Sequence, residues 1–169
     1  MARGDGAGGR RAALSRLASL ALLALAPGAR AQGGAAAAEL PRIDDLRRLA
    51  AQMRRERVPL LLFFSTPGCP YCVEVRRSYL VPRLKDRAEV LIREVETVSR
   101  RSFVGLDGKP HTEAALASRF GVRAVPVVQL VDASMQPTGA PLVGIDAAGF
   151  YDAYLAAAID EARLAMRAR

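Results

Sequence analysis

The chain has 169 residues, 51% of them hydrophobic, with 25 basic against 17 acidic side chains and a net charge of +8. That length supports one domain with a real core, and two cysteines are too few for a fold that depends on disulfides. The positive charge does not mark a nucleic-acid binder: aromatic residues make up only 5%, and the pairs Arg47-Arg48, Arg54-Arg55 and Arg76-Arg77 are spread along helical patterns as solvated faces.

Residues 1–31 read as a signal peptide. Arg3, Arg10, Arg11 and Arg16 make a basic start, and Leu17 to Ala26 is an apolar run of ten residues. A bilayer span takes about 20 residues, so this run is too short to be one. Pro27-Gly28 breaks it, and Ala29-Arg30-Ala31 fits a small-x-small cleavage pattern that leaves Gln32 as the new terminus. No cysteine lies nearby to carry a lipid, so no stable membrane attachment is expected after cleavage. Without the segment the chain keeps 20 basic and 16 acidic side chains, a net +4. Residues 32–41 are a flexible, Ala/Gly-rich lead-in, and 42–169 form the domain.

The first helix is expected after Pro41, because Ile43, Leu46, Ala50 and Met53 fall on one face. Leu60 to Phe64 is then a buried strand, stopped by Ser65-Thr66-Pro67-Gly68. Cys69 sits at the cap of the next helix, with Pro70 as its first residue, where a missing N–H costs nothing. Cys69 and Cys72 are one helical turn apart, close enough to bond. Unpaired N–H groups and partial positive charge at the helix start favour a Cys69 thiolate, with a pKa below the free thiol's. Cys69 is thus the expected nucleophile and Cys72 the resolving thiol.

Three other uses of the pair compete. A two-residue spacer closes too small a loop for an inert staple to contribute much. A zinc site needs about four ligands, and His111 is the one histidine beside the two cysteines. An iron–sulfur cluster shared between two chains is the third. We expect no metal and no cofactor.

Beyond the cysteines, Val73, Val75, Tyr79 and Leu80 supply apolar contacts, and Pro82 should kink or end the helix, with a last turn over Leu84 to Arg87. Val90 to Val95 is the second strand. A long loop follows from Glu96 to His111, with an Asp107-Gly108 turn; loops of that length are often functional. His111 reads as a loop residue. Thr112 caps a third helix over Glu113 to Phe120, closed by Gly121. Val125 to Val131 is a third strand that opens on Pro126, and Leu142 to Ile145 a fourth. Asp146 caps the final helix, whose stripe is Phe150, Tyr151, Tyr154, Leu155, Ala158 and Ile159. No internal repeat is visible.

With these pieces in order, the chain resembles the thioredoxin superfamily. The likeness rests on Cys69-Pro70-Tyr71-Cys72 at a strand-to-helix turn and on Gly121-Val122-Arg123-Ala124-Val125-Pro126, which looks like the segment that leads into that family's cis-proline. It covers about residues 42 to 165 and is most similar to exported bacterial thioredoxin-like proteins, including SoxW-like proteins and disulfide-isomerase-like catalytic domains. The resemblance implies an α/β fold with a central mixed sheet of about four strands flanked by helices. It implies a cis Val125–Pro126 bond facing the cysteines, and a substrate-binding surface of Val125, Pro126, Pro70 and Tyr71, where an extended segment pairs with the Val125 backbone. Two positions depart from the family pattern. Phe63 stands where cytoplasmic thioredoxins carry a buried acid, and Gly68 where they carry a tryptophan.

The expected activity is that of an exported, periplasmic thiol–disulfide oxidoreductase acting on protein cysteines or disulfides. A reductant or electron relay is favoured, because the chain is small and has no visible dimerisation domain; a membrane thiol–disulfide carrier would recharge it. The alternatives are a dithiol oxidase or disulfide isomerase, and a non-catalytic thioredoxin-fold binding module.

Overall fold

A computed structural model describes residues 39–86, 88–146 and 148–168. The signal-peptide reading, most of the lead-in, and Arg87 lie outside them. The centre is β1 (Leu60–Ser65), every residue of which is buried. It pairs in parallel with β2 (Leu91–Glu96) and antiparallel with β5 (Val127–Val131), and β5 pairs antiparallel with β6 (Leu142–Val143). The order β2-β1-β5-β6 is the expected four-stranded mixed sheet.

Both faces of β1 are covered, so its sequence is a continuous apolar run rather than an alternating one. Leu60, Leu62 and Phe64 face α1 (Leu46–Glu56) and α4 (Glu113–Arg119). Leu61 and Phe63 face the cysteine helix and α5 (Tyr151–Arg167).

The first helix starts later than its apolar spacing suggests. Asp45 is extended and its Oδ1 accepts from the N–H of Arg47 at 2.8 Å and of Arg48 at 3.4 Å, which caps the helix at Leu46. Ile43 is fully buried but precedes the helix. The segment before it runs along β2: the Pro41 carbonyl accepts from Glu94 N–H at 2.9 Å, and Arg42 bridges Glu94 in parallel. Leu40 is buried as well.

The cysteine helix does not end at Pro82. It comprises α2 (Pro70–Glu74), a wider π-helical segment Val75–Leu80, and α3 (Val81–Arg83). A proline at 82 would press its ring on the Ser78 carbonyl in a regular α-helix. The wider winding, in which Val81 N–H reaches back to Arg76 O, lies immediately before it.

The long connection is also more ordered than its sequence suggests. β3 (Ser102–Val104) and β4 (Pro110–Thr112) form a two-stranded antiparallel hairpin within the span read as a loop. Its tip is the expected Asp107-Gly108 turn, closed by Gly105 N–H to Lys109 O at 2.8 Å. His111 lies in β4, not in a loop. Its Nε2 is 3.0 Å from Asp107 Oδ1, and its ring stacks on Phe103.

Thr112 caps α4 as expected, accepting from Ala115 N–H. The first residue of that helix is Glu113, which is fully buried. Its carboxylate accepts from the Arg42 guanidinium at both oxygens, from Arg101 Nη1 at 3.4 Å and from the Glu96 N–H at 3.2 Å. One side chain thereby joins the segment before α1, β2, the approach to the hairpin, and α4.

At the C-terminal end, Asp146 accepts from Ala148 and Phe150 N–H groups and caps the turn before α5 instead of α5 itself. The buried stripe of α5 is Tyr151, Leu155, Ile159 and Ala162. Phe150 and Tyr154 are more than half exposed, and their rings lie tilted to each other outside the core.

Candidate active site

The site begins where β1 leaves the sheet. Gly68 has φ +74°, a left-handed conformation that a side chain disfavours, and it turns the chain into α2. Cys69 is extended and caps the helix: its Sγ accepts from the Cys72 N–H at 3.0 Å, and its carbonyl accepts from Val73 N–H. Pro70 occupies the first helical position.

Cys69 and Cys72 are joined as a disulfide, with their Cα atoms 5.2 Å apart. Their settings differ. Cys72 is 1% exposed and packs with Phe63 and Val75, whereas Cys69 is half-buried at the surface. A disulfide exchange needs this asymmetry: one sulfur reachable by a partner, the other shielded behind it.

Pro70 and Tyr71 are exposed, Tyr71 at 62%. The Val125–Pro126 bond is cis, and Pro126 is buried. Val125 is half-buried and packs against the same apolar cluster as Cys69. The structure therefore brings the 124–126 segment and the cysteine turn to one end of the sheet. It leaves His111 elsewhere, in the hairpin.

A family model for a thioredoxin-like domain matches residues 46–159. The chain belongs to the thioredoxin-like domain family. Solved structures similar to it include the thioredoxin pre-protein of Schistosoma mansoni, at 14% identity over 73% of this chain and 97% of that one, with a TM-score of 0.46. Another is the periplasmic thioredoxin SoxS of Paracoccus pantotrophus, at 21% identity over 62% and 98%, with a TM-score of 0.41. A third is the oxidoreductase DsbH, at 19% identity over 73% and 88%, with a TM-score of 0.49. Likeness at these identities concerns the fold alone. No curated protein matches the chain.

Below the cysteines this thioredoxin-like domain has its own polar arrangement. Phe63 faces Cys72, and its partner across the β1–β2 pair is Glu94, a buried carboxylate. Ser65 Oγ donates to Glu94 Oε1 at 2.5 Å, and Arg76 donates to both carboxylate oxygens. The Arg76 guanidinium also lies over the Phe63 ring, 5.8 Å from its centroid. This cluster ties the cysteine helix to the sheet through a residue four places after Cys72. In the sequence, Arg76 reads as part of a solvated basic pair, and Glu94 is simply a residue of the Val90 to Val95 strand. The signal the sequence offered was an acid within a strand otherwise read as apolar.

In the apolar cluster that holds Cys72, Tyr151 packs against Tyr79 at 4.8 Å between ring centroids, and its hydroxyl is buried without a partner among the described residues. Burial pushes its phenol up to about 12, and the neighbouring Tyr79 adds to the effect. Among the described residues, no three side chains of His, Cys, Asp or Glu gather around a possible metal position. No helix among them is long and apolar enough to cross a membrane.

Proposed function

We propose that the chain is an exported thiol–disulfide oxidoreductase, with Cys69 as nucleophile and Cys72 as resolving thiol, working as a reductant or electron relay. The observation that carries this reading is Cys69 at a helix cap, with the Cys72 N–H aimed at its sulfur and the surface open beside it. That donor and the helix start both stabilise negative charge on Cys69.

In the reduced protein, the Cys69 thiolate attacks one sulfur of a substrate disulfide. The substrate S–S bond breaks, and its other sulfur leaves as a thiolate that takes a proton from water. Cys72 then loses its proton and attacks Cys69. The mixed disulfide breaks, the second substrate sulfur departs as a thiol, and the pair ends as the Cys69–Cys72 disulfide. The substrate gains two electrons from the pair, and its two protons come one from water and one from Cys72. Substrate main chain is held beside Val125 and Pro126, with Pro70 and Tyr71 forming the opposite rim.

Export rests on residues 1–31 and their Ala29-Arg30-Ala31 cleavage pattern. A reductant outside the cytoplasm needs electrons from within, which a membrane thiol–disulfide carrier supplies. Insulin reduction by the mature protein tests the roles: activity should vanish in Cys69→Ser, and undiminished turnover in that variant overturns them. The equilibrium potential tests the direction. A value near about −270 mV supports a reductant, and one between about −180 and −120 mV makes the protein an oxidase or isomerase instead.

A further inference from the structure

The backbone just before Pro126 is unoccupied on one side. Val122 N–H bonds Ala117 O, and the Pro126 carbonyl accepts from Gly144 N–H, yet no backbone hydrogen bond involves Arg123, Ala124 or Val125 among the described residues. Next to this stretch lies a groove of about 240 Å3, walled by Phe64, Phe120, Val127, Pro141 and Val143. Its one charged lining residue is Arg123, which is exposed and makes no ion pair or hydrogen bond among the described residues.

The sheet separates this groove from the cysteines. Phe64 and Val127 project to the α1 and α4 face; Phe63 and Val128 project to the face that holds Cys72. An extended segment laid along residues 123–125 sends successive side chains to opposite faces. A cysteine turned towards Cys69 therefore has both of its sequence neighbours turned towards the groove. One meets an apolar wall, and the other meets an unpaired cation.

We infer that the groove selects substrate segments whose reactive cysteine has an apolar residue on one side and a carboxylate on the other, the carboxylate paired with Arg123. This rests on the oxidoreductase reading and adds to it a substrate class. The occupant is a segment of the substrate protein, because the groove continues the open backbone beside Val125 and presents no acid to repel a carboxylate.

The test uses the reduced mature protein and three peptide disulfides, in which the cysteine is flanked by Glu and Leu, by Lys and Leu, or by two serines. The readout is the second-order rate of single-turnover reduction. The Glu/Leu peptide should react roughly 1.4- to fivefold faster than the Lys/Leu peptide at low salt, the range of one exposed ion pair. The difference should shrink in 0.5 M salt. Arg123→Glu should reverse the order. Val143→Ser, at a position 64% exposed and so tolerant of change, should narrow the gap between the Glu/Leu and serine peptides. Equal rates for the Glu and Lys peptides, or an order unchanged by Arg123→Glu, overturn the groove reading and leave the oxidoreductase reading standing. Failure to reduce any of the three overturns both.

Discussion

Replacing Glu113 should be a strongly damaging polar change away from the cysteines. Its carboxylate is 0% exposed, and its partners Arg42 and Arg101 have side chains 29% and 38% exposed. Removing one partner of a buried pair costs about 3–5 kcal/mol when the other charge is left stranded. Here the stranded groups are guanidiniums that can turn to water, so the low end applies, about 3 kcal/mol for Glu113→Ala. Glu113→Gln keeps the shape and can still accept from Arg42 or the Glu96 N–H, so about 2 kcal/mol is expected. A domain of about 130 residues has an unfolding entropy near 0.27 kcal/mol/K, so these losses lower the melting temperature by about 11 and 7 °C. Thermal unfolding followed by circular dichroism measures both. The network touches neither cysteine, so disulfide exchange at 20 °C should keep its rate in the folded variants. The double variant Arg42→Met/Glu113→Gln should lose less than the sum of its parts, by about 1–2 kcal/mol. A Glu113→Gln protein that melts within 2 °C of the parent refutes the claim that this carboxylate holds the four segments together.

Two further outcomes follow from local geometry. Asp45 has its carboxyl lowered from 3.8 to about 2, chiefly by the hydrogen bond from the Arg47 side chain. A lowered folded-state value means a contribution that is complete above about pH 4 and disappears as the pH falls towards 2. The melting difference between the parent and Asp45→Ala should therefore be constant from pH 7 to 5 and close as acid is added; a gap that persists at pH 2 contradicts the capping role. At Gly105, an added Cβ would lie 2.4 Å from His111 Cδ2 and 2.7 Å from Asp107 Oδ1. Gly105→Ala should push the imidazole off Phe103 and Asp107, costing about 1 kcal/mol. Hydrogen exchange should then quicken about fivefold at the β3–β4 amides and not in β1. Unchanged protection in the hairpin counts against that contact.

The parts of the fold legible in the sequence are those fixed by local chemistry. The strand–Gly–Cys–Pro turn announces itself because each residue type suits one backbone position, and Thr112 and Gly121 bracket their helix for the same reason. The elements that escaped depend on partners far along the chain. Glu113 reads as an ordinary first-turn acid, and nothing near it points to Arg42, 71 residues earlier. The hairpin strands have three residues each, and one opens on a proline, too little for any alternation to register. Ile43 has helical spacing with Leu46, yet Asp45 between them makes a better cap than an interior residue. Phe150 and Tyr154 fit the stripe of α5 by spacing, but the core behind that helix is filled by Tyr151 and Leu155. At the site, the cysteine pair was plain, whereas the Arg76–Glu94–Ser65 cluster needed a parallel register that only the folded sheet supplies. Arg123 lay within the quoted Val-Pro segment, but without three dimensions nothing distinguished it from other surface arginines.

The stretch Leu40–Arg42, lying along β2, bears on how the protein behaves in a crowded solution. The sheet has two rims. One ends in β6, only two residues long and too short to seed a neighbour. The other, β2, is a six-residue strand, long enough for a second molecule to add a strand and then a third. Pro41 and Arg42 occupy that rim before any other chain can, and proline offers no N–H through which growth could continue. A protease that clips just after Arg42 would leave the cysteines untouched and yet bare the β2 rim to self-association. Loss of solubility, not loss of chemistry, would be the first sign.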